Sequence, residues 1–452
     1  MRLDPAQTEG HTHLEFETVS MPRDLSRRTA LALGLASATA AEARIPAMTP
    51  TFDLASITAS LAHYDSLGIK ASGGAGDQAT GVWLSKVLTE AGFGVTRQPF
   101  TVPWFEVGEA SLSSGPARAE VLPQAVVVPT PSQGVEGPMF VHQAWSPERR
   151  YDGGIVLVVL PYRRWSTLMG LEPRRTVDAC FKAGAAAVVL VTTGPTGEAL
   201  ALNAPADKPV FDRPVAVLAP RDARPLLALA EQGARAVLKV TGQGGRREAY
   251  NVVGQILRPG APGLVVSTPR SGWFGCAGER GGGIAAWVAL AQWAPKALKT
   301  VSLTFLSTSG HEYENEGGET FLTSGLAPPD QTRLWVHLGA NVASRDFNDL
   351  AGMVPMKSPD TQRILMVTAD LVPLAERLFA GQPGLENVVA ASKAGAAGEM
   401  SNILAHDYPT VAGVFGGHRF HHARNDDLTR THPEASLKAA IAFRDLISAR
   451  LG

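Results

Sequence analysis

The chain is short of cysteine, of net charge and of long apolar runs, and each shortage excludes something. Cys180 and Cys276 are the only cysteines in 452 residues. They lie far apart and match no metal-ligand spacing, which leaves two buried free thiols, or a single disulfide between them. Arg and Lys number 41 against 42 Asp and Glu, a formal charge of −1. A nucleic-acid-binding surface needs a basic excess, and none exists. No apolar run reaches the ~20 residues that span a bilayer, so no membrane anchor is expected. The length itself argues for two domains.

The first fifty residues read as targeting. From Met21 the chain runs MPRDLSRRTALALGLASATAAEA, with Arg27 and Arg28 ahead of a weakly apolar Ala/Leu run. Small residues at Ala38, Ala40, Ala41 and Ala43 suit a signal peptidase. Residues 21–43 look like a twin-arginine export signal, which implies a periplasmic or secreted protein. Residues 1–20 have no place in such a signal and read as a start placed too early.

The spacing predicts helices over 52–66 and 76–92, the second ending at Gly92. The strand GVTRQPFTVPWFEV follows, then a Pro/Gly/Ser-marked change over 108–150. From 154 strands and helices alternate: GIVLVVL, a helix through TVDACFKAGA, AAVVLVTT, PVAVLAP, a helix RPLLALAEQGA and RAVLKVTG. After the polar GQGGRREAY, the strand NVVGQIL resumes. AHYDSLGIKASGGAGDQ offers His63, Asp65 and Asp77 in a metal-like phrase. His63 follows helical spacing with no apolar strand before it, so 62–88 reads as a helix–loop–helix instead.

The densest chemistry lies in 264–322: the strand LVVSTPRS, the glycine-rich turn GCAGERGGG, the helix IAAWVALAQWA, the strand VSLTFLST and the polar loop SGHEYENEGGETFL. Acidic and histidine side chains crowding the loops after two apolar strands suit an α/β metal-hydrolase site.

This layout resembles the M28-type zinc aminopeptidases, and the resemblance covers nearly all of the mature chain. Ala183 to Leu190, AGAAAVVL, resembles a protease-associated domain. The resemblance implies an α/β fold with a central, mostly parallel mixed sheet flanked by helices. The body then comprises 52–107 and 246–452, interrupted by a protease-associated-like α/β insertion at 108–245.

In that family two zinc ions share a bridging aspartate and a glutamate activates the water. Thr268 and Arg270 stand where the first His-x-Asp motif belongs. Glu279 takes the bridging position, either as a metal ligand or as the partner of Arg270 in a buried ion pair that substitutes for the lost cation. His311 stands at the base and Glu312 at the next ligand. Gly339 replaces a ligand aspartate, with His337 two residues earlier. FHHARNDD supplies His422 as the last ligand, Asp426 as the acid that fixes its ring, and His421 beside it.

Two functions of different class follow. One is a metallopeptidase or amidohydrolase with at most one zinc on Glu279, Glu312 and His422, and His311 as base. The other is a non-catalytic homologue without metal, in which an Arg270–Glu279 pair closes the cleft around a peptide or small amide ligand.

Overall fold

The structure, a computed structural model, describes residues 52–143 and 149–452; the export segment at 21–43 and residues 1–20 lie outside them. Its centre is a mixed sheet of 13 strands among the described residues. In the body half, the strands Ser302–Thr308, Gly263–Pro269, Thr332–Leu338 and Val411–Gly416 lie side by side and parallel. They read as nearly continuous apolar runs because both faces are covered. One face packs against the helices Leu54–Ser66, Ala75–Glu90, Ala277–Ala297 and Pro433–Leu451, around Trp287, Phe305 and Phe443. The other buries Phe321, Trp335, Met400 and Phe415 beneath two short helices.

The helix Ala277–Ala297 starts earlier than the sequence suggests, and the glycine-rich stretch is its first turns rather than a turn before it. Glycine is a poor helix former, but here it lets the helix press onto the sheet. A Cβ on Gly283 would stand 2.9 Å from the Leu338 carbonyl, and one on Gly282 2.9 Å from the Ala343 nitrogen. Burial of nearly every residue from 277 to 291 decides the matter.

The segments 94–107 and 246–256 do not stop at the expected boundaries of 108–245. Gly94–Ser114 and Arg235–Ile256 form one antiparallel ribbon, paired from Gly94↔Gln255 to Ser113↔Val237 with a bulge between Val107 and Glu109. The polar stretch GQGGRREAY is therefore strand and not loop. Cross-ribbon pairing overrides its weak propensity. Beyond the ribbon, the strands Val135–His142, Ile155–Val159, Ala187–Val191 and Val215–Leu218 run parallel, with the helix Leu171–Lys182 between the second and third and the helix Pro220–Glu231 after the fourth. The 108–245 segment is thus itself α/β and shares the sheet with the body.

Cys180 and Cys276 are both buried and free. Among the described residues no helix is long and apolar enough to cross a membrane.

Candidate metal centre

Glu279 lies in the first turn of Ala277–Ala297, at the helix end that favours an anion. Its helix carries no cap of its own at Cys276. Asp426 reaches in from the C-terminal loop and accepts from Gly278 N at 2.8 Å and Glu279 N at 3.0 Å. His418 Nε2 donates to the same carboxylate at 3.1 Å. Asp426 therefore caps this helix and does not fix the His422 ring, a correction of the role its spacing suggested. The helix lacked a local cap, and a carboxylate aimed at two orphan N–H groups satisfies them. Asp426→Ala should cost about 1–2 kcal/mol of stability, while Asp426→Asn keeps most of it; thermal unfolding of the two variants decides.

Around the Glu279 carboxylate stand four cationic or imidazole groups. His422 Nε2 is 3.5 Å from its Oε1, His311 Nε2 3.6 Å, His421 Nδ1 3.8 Å and Arg280 Nη2 2.7 Å. Glu279, His421 and His422 form a cluster whose ligand atoms all fall within 4.8 Å of one another, every residue buried. Among the described residues, both Glu279 oxygens, His421 Nδ1 and His422 Nε2 lack a hydrogen-bond partner. The Arg280 approach is close but misaligned, so it leaves Arg280 Nε and Nη2 without such a partner too.

The backbone prepares this cluster. His422 adopts φ +58°, a left-handed conformation that non-glycine residues rarely hold. Its ring stacks on that of His421 at 4.0 Å between centroids. His422 Nδ1 donates to the Ala201 carbonyl at 2.8 Å. That bond places the ring proton on Nδ1 and leaves the Nε2 lone pair directed at Glu279, the arrangement of a metal-ligating imidazole. Burial, and next the neighbouring His422, push His421 well below the usual imidazole range, so its ring is neutral. Burial alone would raise the Glu279 carboxyl, but the buried Arg280 guanidinium outweighs it and holds the group well below the usual range.

Other residues singled out by sequence lie elsewhere. Arg270 does not meet Glu279. Its Nε is 2.9 Å from Asp77 Oδ1, both side chains fully buried. Nη1 donates to Ser307 O at 2.9 Å and Nη2 to Tyr250 O at 2.6 Å. Glu279's cation is instead its neighbour Arg280. The strand end at Arg270 faces the helix Ala75–Glu90, whose first turn carries Asp77. Glu312 is not in the converging cluster. It accepts from Ser72 N at 2.8 Å, and Ser72 Oγ donates to its other oxygen. Thr268 Oγ1 donates to Leu338 O at 2.8 Å. Gly339 has no side chain, and a Cβ there would stand 2.5 Å from Val414 O. His337 meets other partners than Glu279: its Nε2 is 2.6 Å from Glu399 Oε2 and its Nδ1 pairs with Ser267 Oγ at 2.9 Å. His63 rests against Trp83 at the end of its helix.

Sequence reasoning missed Arg280, Glu399 and Asn203. Glu399 begins the short helix Glu399–Ala405 and sits 3.8 Å from His311 Nδ1. Burial would raise its carboxyl, but His337 and His311 hold it well below the usual range. No motif marks it; only the signal of a lone acid after Gly398 was there to see. Beside the centre lies a cavity of about 800 Å³, lined by Trp104, Phe105, Trp273, Phe274, Tyr313 and Arg247 among others. Ala201 and Glu312 also border it.

The layered α/β scaffold places acids and histidines at the loops beside its parallel strands. Three solved structures share it. They are an aminopeptidase from Aneurinibacillus sp. strain AM-1 (TM-score 0.63, 15% identity, covering 89% of this chain and 95% of that one), a zinc aminopeptidase from Bacillus subtilis (0.66, 14%, 88% and 96%) and a peptidase M28 precursor from Shewanella amazonensis SB2B (0.65, 18%, 87% and 92%). At such identities the likeness establishes the fold, and function must come from the site. No protein-family model and no curated protein sequence matches the chain.

Proposed function

We propose that this protein is a divergent M28-like metallohydrolase that cleaves a peptide or small amide, using at most one metal ion held by Glu279, His421 and His422. The observation that carries this reading is the convergence of three buried ligands whose facing atoms lack hydrogen-bond partners. Two imidazoles and one carboxylate are also the donor set of catalytic mononuclear zinc. The set differs from the sequence expectation by exchanging Glu312 for His421.

A zinc ion held there would supply Lewis-acid polarisation of the scissile carbonyl. His311, 3.6 Å from Glu279 and partly exposed, is placed to take a proton at Nε2 from the attacking water and return it to the departing amine. The aromatic cavity takes the substrate's apolar side chain, in a volume suited to a short peptide. Among the described residues the two positions expected to hold a second ion supply no ligand, because Thr268 is committed to Leu338 O and Gly339 has no room for a side chain. The 108–245 segment acts as a protease-associated-like module over the site, and 21–43 directs export by the twin-arginine route.

One observation favours a second reading. Arg280 places a buried positive charge 2.7 Å from Glu279, and a non-catalytic homologue would keep such a cation in place of the metal.

Elemental analysis after dialysis against zinc separates the two. The metallohydrolase reading expects one zinc per chain, hydrolysis of aminoacyl 4-nitroanilides, and a loss of at least ~100-fold in kcat/KM in His422→Ala. Two tightly bound zinc ions, or none, would overturn it.

A further inference from the structure

The 108–245 segment sends the stretch Leu200–Ala204 across the candidate metal centre. Ala201 N donates to His422 O at 3.1 Å and accepts from His422 Nδ1 through its own carbonyl. Ala204 N donates to Glu312 O at 3.2 Å. Between them Asn203 is buried, and its backbone is tied to Ser166 O at 2.9 Å and to Leu168 N at 2.9 Å. This stretch is held by both halves of the molecule.

The Asn203 side chain faces two partners of opposite demand. Trp273 Nε1 donates to Asn203 Oδ1 at 2.8 Å. An indole N–H is only ever a donor, so the amide oxygen must face Trp273 and the amide nitrogen must face the other way. On that side lies His311 Nε2, 3.5 Å from Asn203 Nδ2. An amide NH₂ can only donate, so His311 Nε2 meets it as a lone pair and the ring proton resides on Nδ1. The groups at Nδ1 agree: Asn315 Oδ1 lies at 3.0 Å and the Glu399 carboxylate at 3.8 Å, both acceptors.

We propose that Asn203 is a positioning residue, contributed by the 108–245 segment, that fixes His311 as the Nδ1–H tautomer with its Nε2 lone pair directed to the Glu279 centre. The inference rests on the reading of His311 as base for its functional meaning, but not for its geometry. A free imidazole divides its proton between both nitrogens. Here Trp273 and Asn203 on one side and Glu399 on the other select the form that accepts a proton where the substrate lies. The Asn203 contact is long enough to yield to an incoming water. The body alone offers acceptors at both ring nitrogens, Glu279 near Nε2 and Asn315 with Glu399 near Nδ1, and the 108–245 segment supplies the donor that decides between them.

The test reads the tautomer directly, by ¹⁵N correlation spectra of the histidine rings of the purified protein at neutral pH, with His311→Gln assigning the signal. The parent should show His311 protonated at Nδ1 and unprotonated at Nε2. Asn203→Asp puts an acceptor where a donor stood and should invert the pattern; Asn203→Ala should mix the two forms. Trp273→Phe leaves the amide free to rotate and should also mix them, which keeps the test usable if an Asn203 variant misfolds. A parent protonated at Nε2, or variants with an unchanged pattern, overturns the proposal. In protein that hydrolyses amides, the inverted tautomer should lower kcat by about 10–100-fold with KM little changed. Inversion without any loss of kcat would leave the positioning role standing and sink the assignment of His311 as base.

Discussion

Arg270→Met is expected to unfold far more readily than the parent, by about 3–5 kcal/mol. The guanidinium is fully buried and answers the fully buried Asp77. It also satisfies the carbonyls of Ser307 and Tyr250, and lies 4.8 Å from the Tyr250 ring centroid. Removing it strands a carboxylate whose remaining partners are Gly73 N and Ser309 Oγ. The loss has a definite pH dependence. Burial raises Asp77's pKa, and Arg270 offsets only part of that. An acid whose folded pKa is raised favours the folded state where it is protonated, so the stranded Asp77 costs least in acid, its cost begins to grow above about pH 4, and it is full only above the raised folded pKa. Pairing the change with Asp77→Leu should recover much of the stability, since two apolar side chains of similar volume replace a buried ion pair at little net cost. Urea melts of the two variants test this, and a single variant as stable as the parent would show that the pair carries nothing. The test is also specific to the pair seen here: Asp77→Leu offers no rescue if Arg270 serves Glu279.

The body was legible because its parallel strands are covered on both faces and so are written as apolar runs, such as LVVST and LTFLST. The helix ending before Gly92 was legible from its stop, where Gly92 holds φ +91°. The ribbon was not. GQGGRREAY has polar and glycine residues on both faces, and only the opposite strand, far away in sequence, supplies its hydrogen bonds. In the candidate centre the order of motifs pointed to Glu279 and His422, because a helix start and a late histidine hold their places along a fold. That both adjacent histidines join Glu279 was beyond sequence, since the turn at His422 with φ +58° brings both rings to one side. The direction of an arginine at a strand end was equally hidden, and Arg270 turns toward the helix-loop-helix rather than the centre. Asn203 and Glu399 carry no motif because their meaning lies in what stands opposite them.

Replacing Arg280 should have the largest effect on metal affinity. Its guanidinium is fully buried beside Glu279, and it is also electrostatically coupled to Glu399. Unit charges 4 Å apart interact by about 4 kcal/mol at the effective dielectric of a protein, and a divalent ion feels twice that. Arg280→Leu removes this repulsion and frees Glu279 for the ion, so zinc should bind at least ~100-fold more tightly. Without metal, the same variant leaves a buried carboxylate unpaired and should lose about 3–5 kcal/mol of stability. Its melting temperature should therefore depend on zinc, rising by an amount equivalent to about 2.7 kcal/mol when free zinc is 100 times the dissociation constant. The parent gives the second half of the comparison. A parent that binds one zinc beside a variant that binds it more tightly places Arg280 at the edge of a working metal centre. A parent without zinc beside a variant with one identifies Arg280 as the cation that took the metal's place. Zinc affinity and melting temperature unchanged by Arg280→Leu would mean that Arg280 and the Glu279 cluster do not act on one another, and both readings of the centre would have to be rebuilt.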